Sequence, residues 1–267
     1  MTTSIISRTV IATCALCLPS LAWAGAPEPG ILRGTISAGT EIFATGDLHG
    51  GTVTTVPSLA TLNSGLPAVP ATLTIRSRKY SDVYDAPIQL SAELSYGMSE
   101  NIELFGSVYY SKTEGKRLQV GTADVAALTT VYPVFGKFGD LTNLGLEAGG
   151  RYFFGNGRFI PFLGGSVGIV NQDGIKATFT IPGAPAGGIT LSNVPFFKAT
   201  TSATLGLEAG LAANLTEQFS GRVSVGVKHI TAFRGDDTGL AGLGLQTINN
   251  DSQRTTFPIK ASLAASF

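Results

Sequence analysis

The chain ends Phe257-Pro-Ile-Lys-Ala-Ser-Leu-Ala-Ala-Ser-Phe267. Counted back in twos, one set is Phe267, Ala265, Leu263, Ala261, Ile259 and Phe257. The other is Ser266, Ala264, Ser262, Lys260, Pro258 and Thr256. Successive strand side chains point to opposite faces, so this is an apolar ribbon backed by a mostly polar one. The two phenylalanines are separated by about 33 Å of strand at about 3.3 Å per residue. Tilted by about 40°, that run stands about 25 Å tall, the height of a lipid-facing belt with aromatics at both rims.

The same alternation runs upstream. Segment 219–233 sends Val223, Val225 and Val227 one way and Arg222, Ser224, Gly226 and Lys228 the other. Segment 203–213 sets Leu205, Leu207, Ala209 and Leu211 against Thr204, Gly206, Glu208 and Gly210. Segment 158–170 places Phe159, Pro161, Leu163, Val167 and Ile169 outward, and segment 143–154 sets Leu144, Leu146, Ala148 and Tyr152 against Glu147, Gly149 and Arg151. Segment 101–111 opposes Ile102, Leu104, Val108 and Tyr110 to Glu103, Ser107 and Tyr109. Segment 87–98 opposes Ile88, Leu90, Ala92, Leu94 and Tyr96 to Gln89, Ser91, Glu93 and Ser95. The faintest pattern is at 31–43, with Leu32, Ile36, Ala38 and Ile42 on one face.

These segments predict an all-β fold, an eight-stranded antiparallel transmembrane β-barrel. Tight turns at Ser99-Glu100, Gly155-Asn156-Gly157 and Asn214–Gln218 alternate with long connections at about 44–85, 112–140, 171–197 and 234–254. Short turns on one side and long loops on the other mark an outer-membrane barrel, and an even strand number puts both termini in the periplasm. Ten strands are the alternative, because Thr72–Lys79 could pair with a strand inside the first long connection. No internal repeat or second domain is evident.

Composition agrees. Mean hydropathy is positive and only 13% of residues are charged. Yet beyond residue 24 no stretch approaches the 18 or so consecutive apolar residues of a membrane helix. At the N-terminus, Arg8 is followed by a mainly apolar run at 9–21, interrupted by Pro19, and then by Ala22-Trp23-Ala24. This reads as a secretory signal peptide, residues 1–24, cleaved to leave a barrel domain over 25–267. Cys14 and Cys17, the two cysteines of the chain, lie in that leader without a good lipoprotein cleavage box. The mature chain therefore has no disulfide, thiolate metal site or cysteine nucleophile. The 18 Lys and Arg balance 18 Asp and Glu, and losing Arg8 leaves one base fewer. Such neutrality gives no basis for nucleic-acid binding.

Two stretches carry a family resemblance. Glu147-Ala-Gly-Gly-Arg151-Tyr-Phe-Phe, the Gly155–Gly157 turn and Phe159-Ile-Pro-Phe-Leu-Gly-Gly-Ser-Val-Gly-Ile169 resemble the central hairpin of small proteobacterial outer-membrane β-barrel proteins, the outer membrane protein A transmembrane-domain type. Gly39-Thr-Glu-Ile-Phe43 and Thr45-Gly46-Asp47 resemble the first strand and loop start of such proteins. The resemblance covers strands, not loops, and no peptidoglycan-binding domain is expected after the barrel. It implies a Gram-negative outer membrane, contact with its lipid and lipopolysaccharide, and Phe267 as the assembly signal read by the barrel-assembly machinery.

Candidate sites follow from the inward face. Glu93, Glu103, Glu147, Glu208, Arg151, Arg222, Lys228 and Lys260 all point into a lumen that eight strands leave just wide enough for side chains to fill. Buried charges must pair there, so a packed barrel-interior charge network is expected, and a narrow lined pore is the alternative. Gly46-Asp47-Leu48-His49-Gly50 matches the opening of metallophosphoesterases, but the chain has one other histidine and no Gly-Asn-His-Glu segment. A glycine-rich loop is expected instead, with no metal. His229 and Thr231 are reminiscent of lipid A deacylases, but threonine stands where they carry serine and no glutamate follows Glu217. An interfacial histidine beside Phe233 in the outer aromatic girdle is expected. No phosphate-binding glycine loop opens a helix, so no cofactor is expected.

The long connections remain as candidates for a surface ligand. The third resembles a hairpin, Lys176–Ile181 and Ile189–Val194 around a Pro- and Gly-rich turn. The expected role is structural or surface-interaction, without catalysis. A narrow channel and a lipid A-modifying hydrolase are the two rivals.

Overall fold

The structure is a computed structural model that describes residues 27–267, apart from 62, 63, 66, 126, 128, 156, 185–187, 217, 237 and 251. The leader expected at 1–24 lies outside the described residues. In chain order the strands are β1 (Leu32–Thr45), β2 (Asp47–His49), β3 (Thr52–Val56), β4 (Ala71–Ile75), β5 (Arg78–Lys79), β6 (Ile88–Gly97), β7 (Ile102–Thr113), β8 (Arg117–Val125) and β9 (Thr130–Phe138). They continue as β10 (Leu141–Phe153), β11 (Ile160–Gln172), β12 (Ile175–Ile181), β13 (Ile189–Lys198), β14 (Thr200–Asn214), β15 (Phe219–Ile230), β16 (Arg234–Gly235) and β17 (Arg254–Ser266). A one-turn helix α1 (Tyr80–Val83) precedes β6.

Eight strands close a barrel in the order β1-β17-β15-β14-β11-β10-β7-β6. Every pairing is antiparallel, and β1 with β17 closes the ring from Arg33↔Ser266 to Thr45↔Thr255. All eight segments expected from alternation are these eight strands. Their faces are those the alternation assigns: Ile88 is 72% and Leu207 64% exposed, whereas Glu103 is 1% exposed. In this ring an exposed apolar wall is the lipid side, since a barrel that satisfies every backbone group is one of two structures that can cross a bilayer. The chain is an outer-membrane-type β-barrel, and it lies in the outer membrane.

Inward glycines give the lumen its room for rings. Gly149 lies opposite Phe105 and Gly210 opposite Phe162. A Cβ on Gly149 would sit 2.7 Å from the Phe105 ring, and one on Gly210 would sit 2.5 Å from that of Phe162. The glycines therefore let each aromatic lie flat against the neighbouring strand.

The long connections depart from expectation. Rather than four separate long loops, they build a second, seven-stranded sheet in the order β16-β13-β12-β9-β8-β4-β3. The expected hairpin in the third connection is present as β12 and β13. Thr72–Ile75 does pair within the first connection, with Thr52–Thr55 (Val56 pairs Ala71), but this pairing belongs to the cap and the barrel stays at eight strands. One continuous apolar core lies under this sheet, including Leu73, Ile75, Val134, Phe138, Phe196 and Phe233.

Candidate functional site

The lumen is built by side chains that alternation sends inward from every barrel strand. Arg151 on β10 is its hub. Its Nη1 and Nη2 donate to the two oxygens of Glu93 on β6, both at 2.6 Å. Nη1 also donates to Glu103 on β7 at 2.9 Å, and Nε donates to Glu208 on β14 at 2.6 Å. Its guanidinium lies 3.9 Å from the Phe105 ring centroid. Arg222 on β15 reaches both oxygens of Glu103 at 2.8 Å. Strands β15 and β7 are four places apart in a ring of eight, so this pair spans the lumen from wall to wall. Lys260 closes on Glu208 at 3.1 Å.

A second cluster stands nearer the long-loop end. Lys228 on β15 lies 3.1 Å from Glu41 on β1 and 2.9 Å from Glu147 on β10. Its ammonium sits 4.1 Å from the Tyr109 ring centroid. All eight residues singled out from sequence thus lie in the lumen, in two groups. Three more belong with them and were missed. Glu41 bonds Lys228, and Arg33 lies 3.7 Å from Glu103. Arg254, 1% exposed, donates to Asn143 at 3.1 Å, with Tyr80 and Phe233 rings beside its guanidinium. The alternation does carry their signal. Glu41 and Arg33 fall on the face opposite Ile36 and Ile42, and Arg254 is in phase with Thr256 and Lys260.

Above the lumen, α1 and its flank lie across the mouth. The Tyr80 hydroxyl donates to the Ser252 carbonyl at 2.8 Å, and that of Tyr84 donates to the Gly139 carbonyl at 2.9 Å. These bonds tie the first connection to the fourth and the second. The lumen holds a polar cavity of about 40 Å³, bordered by groups such as Ser37, Ser91 and Ser224.

The two histidines are placed apart. His49 is buried in the cap, its ring stacked on Phe138 at 5.7 Å and edge-on to Phe196 at 5.8 Å. Its Nδ1 is 2.9 Å from the Gly50 carbonyl, and burial pulls its pKa below the ordinary histidine value. Asp47 on the same short strand is exposed. The stretch expected as a glycine-rich loop is therefore a β2–β5 pairing that delivers His49 to an apolar core. Among the described residues no three His, Cys, Asp or Glu side chains gather as metal ligands. His229 is exposed on β15 with Nδ1 3.2 Å from the Thr255 hydroxyl. Thr231 instead accepts from the Ala203 amide at 3.0 Å. Phe233, expected in the outer girdle, is buried in the cap and stacked on Phe197 at 4.9 Å. The strand ends at Ile230, so the chain has already turned inward there.

Neither a protein-family model nor a curated protein matches the chain. Solved structures do. Neisserial surface protein A is 13% identical over 88% of this chain and 97% of that one, with a TM-score of 0.40. The outer membrane protein OprG from Pseudomonas aeruginosa is 13% identical over 91% and 98%, with a TM-score of 0.45. Ail, the attachment invasion locus protein of Yersinia pestis, seen with the heparin analogue sucrose octasulfate, is 10% identical over 88% and 99%, with a TM-score of 0.36. The fold and the membrane placement rest on this chain's own ring, apolar belt and loop asymmetry.

Proposed function

We propose that this protein is a sealed outer-membrane barrel whose work is done by the folded cap it holds above the membrane, as a structural or surface-interaction element without catalysis. The observation that carries this reading is the joining of all four long connections into one sheet with its own apolar core. Long loops that have no function are seldom ordered at such cost in chain entropy. The lumen argues against the channel rival, since ion pairs cross it between opposite walls. The hydrolase rival needs a nucleophile, base and orienter held together. The hydrogen bonds of His229 and Thr231 run to two different neighbours instead. In this reading the apolar belt meets outer-membrane lipid and lipopolysaccharide, and Phe267 serves the assembly machinery as its recognition residue.

The test is cysteine labelling on intact cells with a membrane-impermeant maleimide. Lys176→Cys in the cap should label and Glu100→Cys in the short turn should not. The reverse pattern would refute a surface cap. Lipid A from overexpressing cells, read by mass spectrometry, should keep its acyl chains; loss of one would restore the hydrolase.

A further inference from the structure

The cap encloses a second cavity, of a different character from the polar lumen. It measures about 50 Å³ and is bordered by aliphatic side chains such as Leu73, Val134 and Ile189, by Phe179 and Phe196, and by one polar side chain, His49. Among the described residues no charged group lines it. A single water needs about 10–15 Å³ and two or more polar partners, so a chamber of this lining stays dry, and its size suits an apolar guest no bigger than a xenon atom. His49 does not change that character, because its burial favours the neutral ring.

The way the chamber is closed sets it apart from a packing flaw. The cap sheet is open, with β3 and β16 as its edges. Residues 240–249 cover the cavity without adding a strand. Next to β3 the Gly50 amide donates to the Ile248 carbonyl. Toward the other edge the Asn249 side-chain amide donates to the Phe196 carbonyl on β13. Leu240, Leu243, Leu245 and Ile248 point from this cover into the chamber. A cover held by its own apolar side chains and few backbone bonds opens at lower free energy than a sheet strand does.

We propose that this chamber is a binding site for a small, uncharged, apolar molecule that enters from the outer surface by displacing residues 240–249. The inference concerns the inside of the cap and stands whether or not its outer face meets a partner.

Equilibrating the protein in lipid nanodiscs with xenon at rising pressure, with isoleucine methyls labelled for NMR, tests it. Ile75, Ile181, Ile189 and Ile248 line the chamber, whereas Ile36, Ile88, Ile169 and Ile259 face lipid. The expected result is saturable shifts of the four cap methyls, while the lipid-facing ones drift linearly as xenon dissolves in the bilayer. Val134→Phe, which fills the chamber, should weaken the cap response at least about ten-fold; if it does not fold, Leu73→Phe on another strand replaces it. Cap methyls that stay still while lipid-facing methyls move would overturn the proposal, as would a filled variant that still saturates like the parent.

Discussion

At the scale of residues, the lumen turns on Arg151. It is held by three carboxylates, those of Glu93, Glu103 and Glu208. Removing it leaves three buried acids short of a partner, and breaking such a buried pairing costs about 3–5 kcal/mol. Arg151→Leu should therefore unfold at markedly lower urea, read by the heat-dependent shift of the folded barrel on a gel. Lys260→Met should cost less, because Lys260 is 23% exposed and, among the described residues, pairs with Glu208 alone. His49 makes the complementary prediction in the cap. Its folded pKa lies below the ordinary histidine value of 6.5, so the unfolded chain binds the proton first. Cap stability is then flat above neutral pH and falls as pH drops through about 6.5 and below. Amide exchange in the cap should quicken as the pH is lowered from neutral through that value, once the intrinsic pH dependence of exchange is divided out, and His49→Leu should remove the effect.

At the scale of elements, each barrel strand works because its two faces meet different solvents. Leu207 lies at the middle of β14 on the lipid face, and Thr201 lies near the long-loop rim of the same face. Leu207→Arg should cost about 2–4 kcal/mol and Thr201→Arg only about 0–1 kcal/mol, measured by reversible urea unfolding in lipid vesicles. This one-sided chemistry is why the barrel strands are legible in the sequence. A period of two in polarity is a local signal, and from Ile88 to Phe267 it marks every wall. Glu41 and Arg33 escape notice only because β1 alternates faintly, although their parity is right. The cap is not legible for a different reason. Its sheet is assembled by pairings between different connections, as when β9 pairs with β12 and β4 with β8. Register between distant segments is not written in local pattern. For the same reason Phe233 reads as part of a membrane girdle when it is part of a core.

At the scale of the whole molecule, two interiors are stacked along one axis. The lower one is polar, charged and neutralised by pairing. The upper one is apolar and closed by residues 240–249. Tyr80, Tyr84 and Arg254 mark the junction, with Tyr80 stacked on Phe43 at 5.5 Å and hydrogen-bonded to the loop before β17. Ion pairs span the lower interior and apolar side chains pack the upper one, and in the reading proposed above the molecule is a wall that carries a platform. Conductance of the purified protein in a planar lipid bilayer tests that claim most directly. The account predicts a silent membrane across the accessible voltage range, and steady ohmic steps from the intact protein would contradict it.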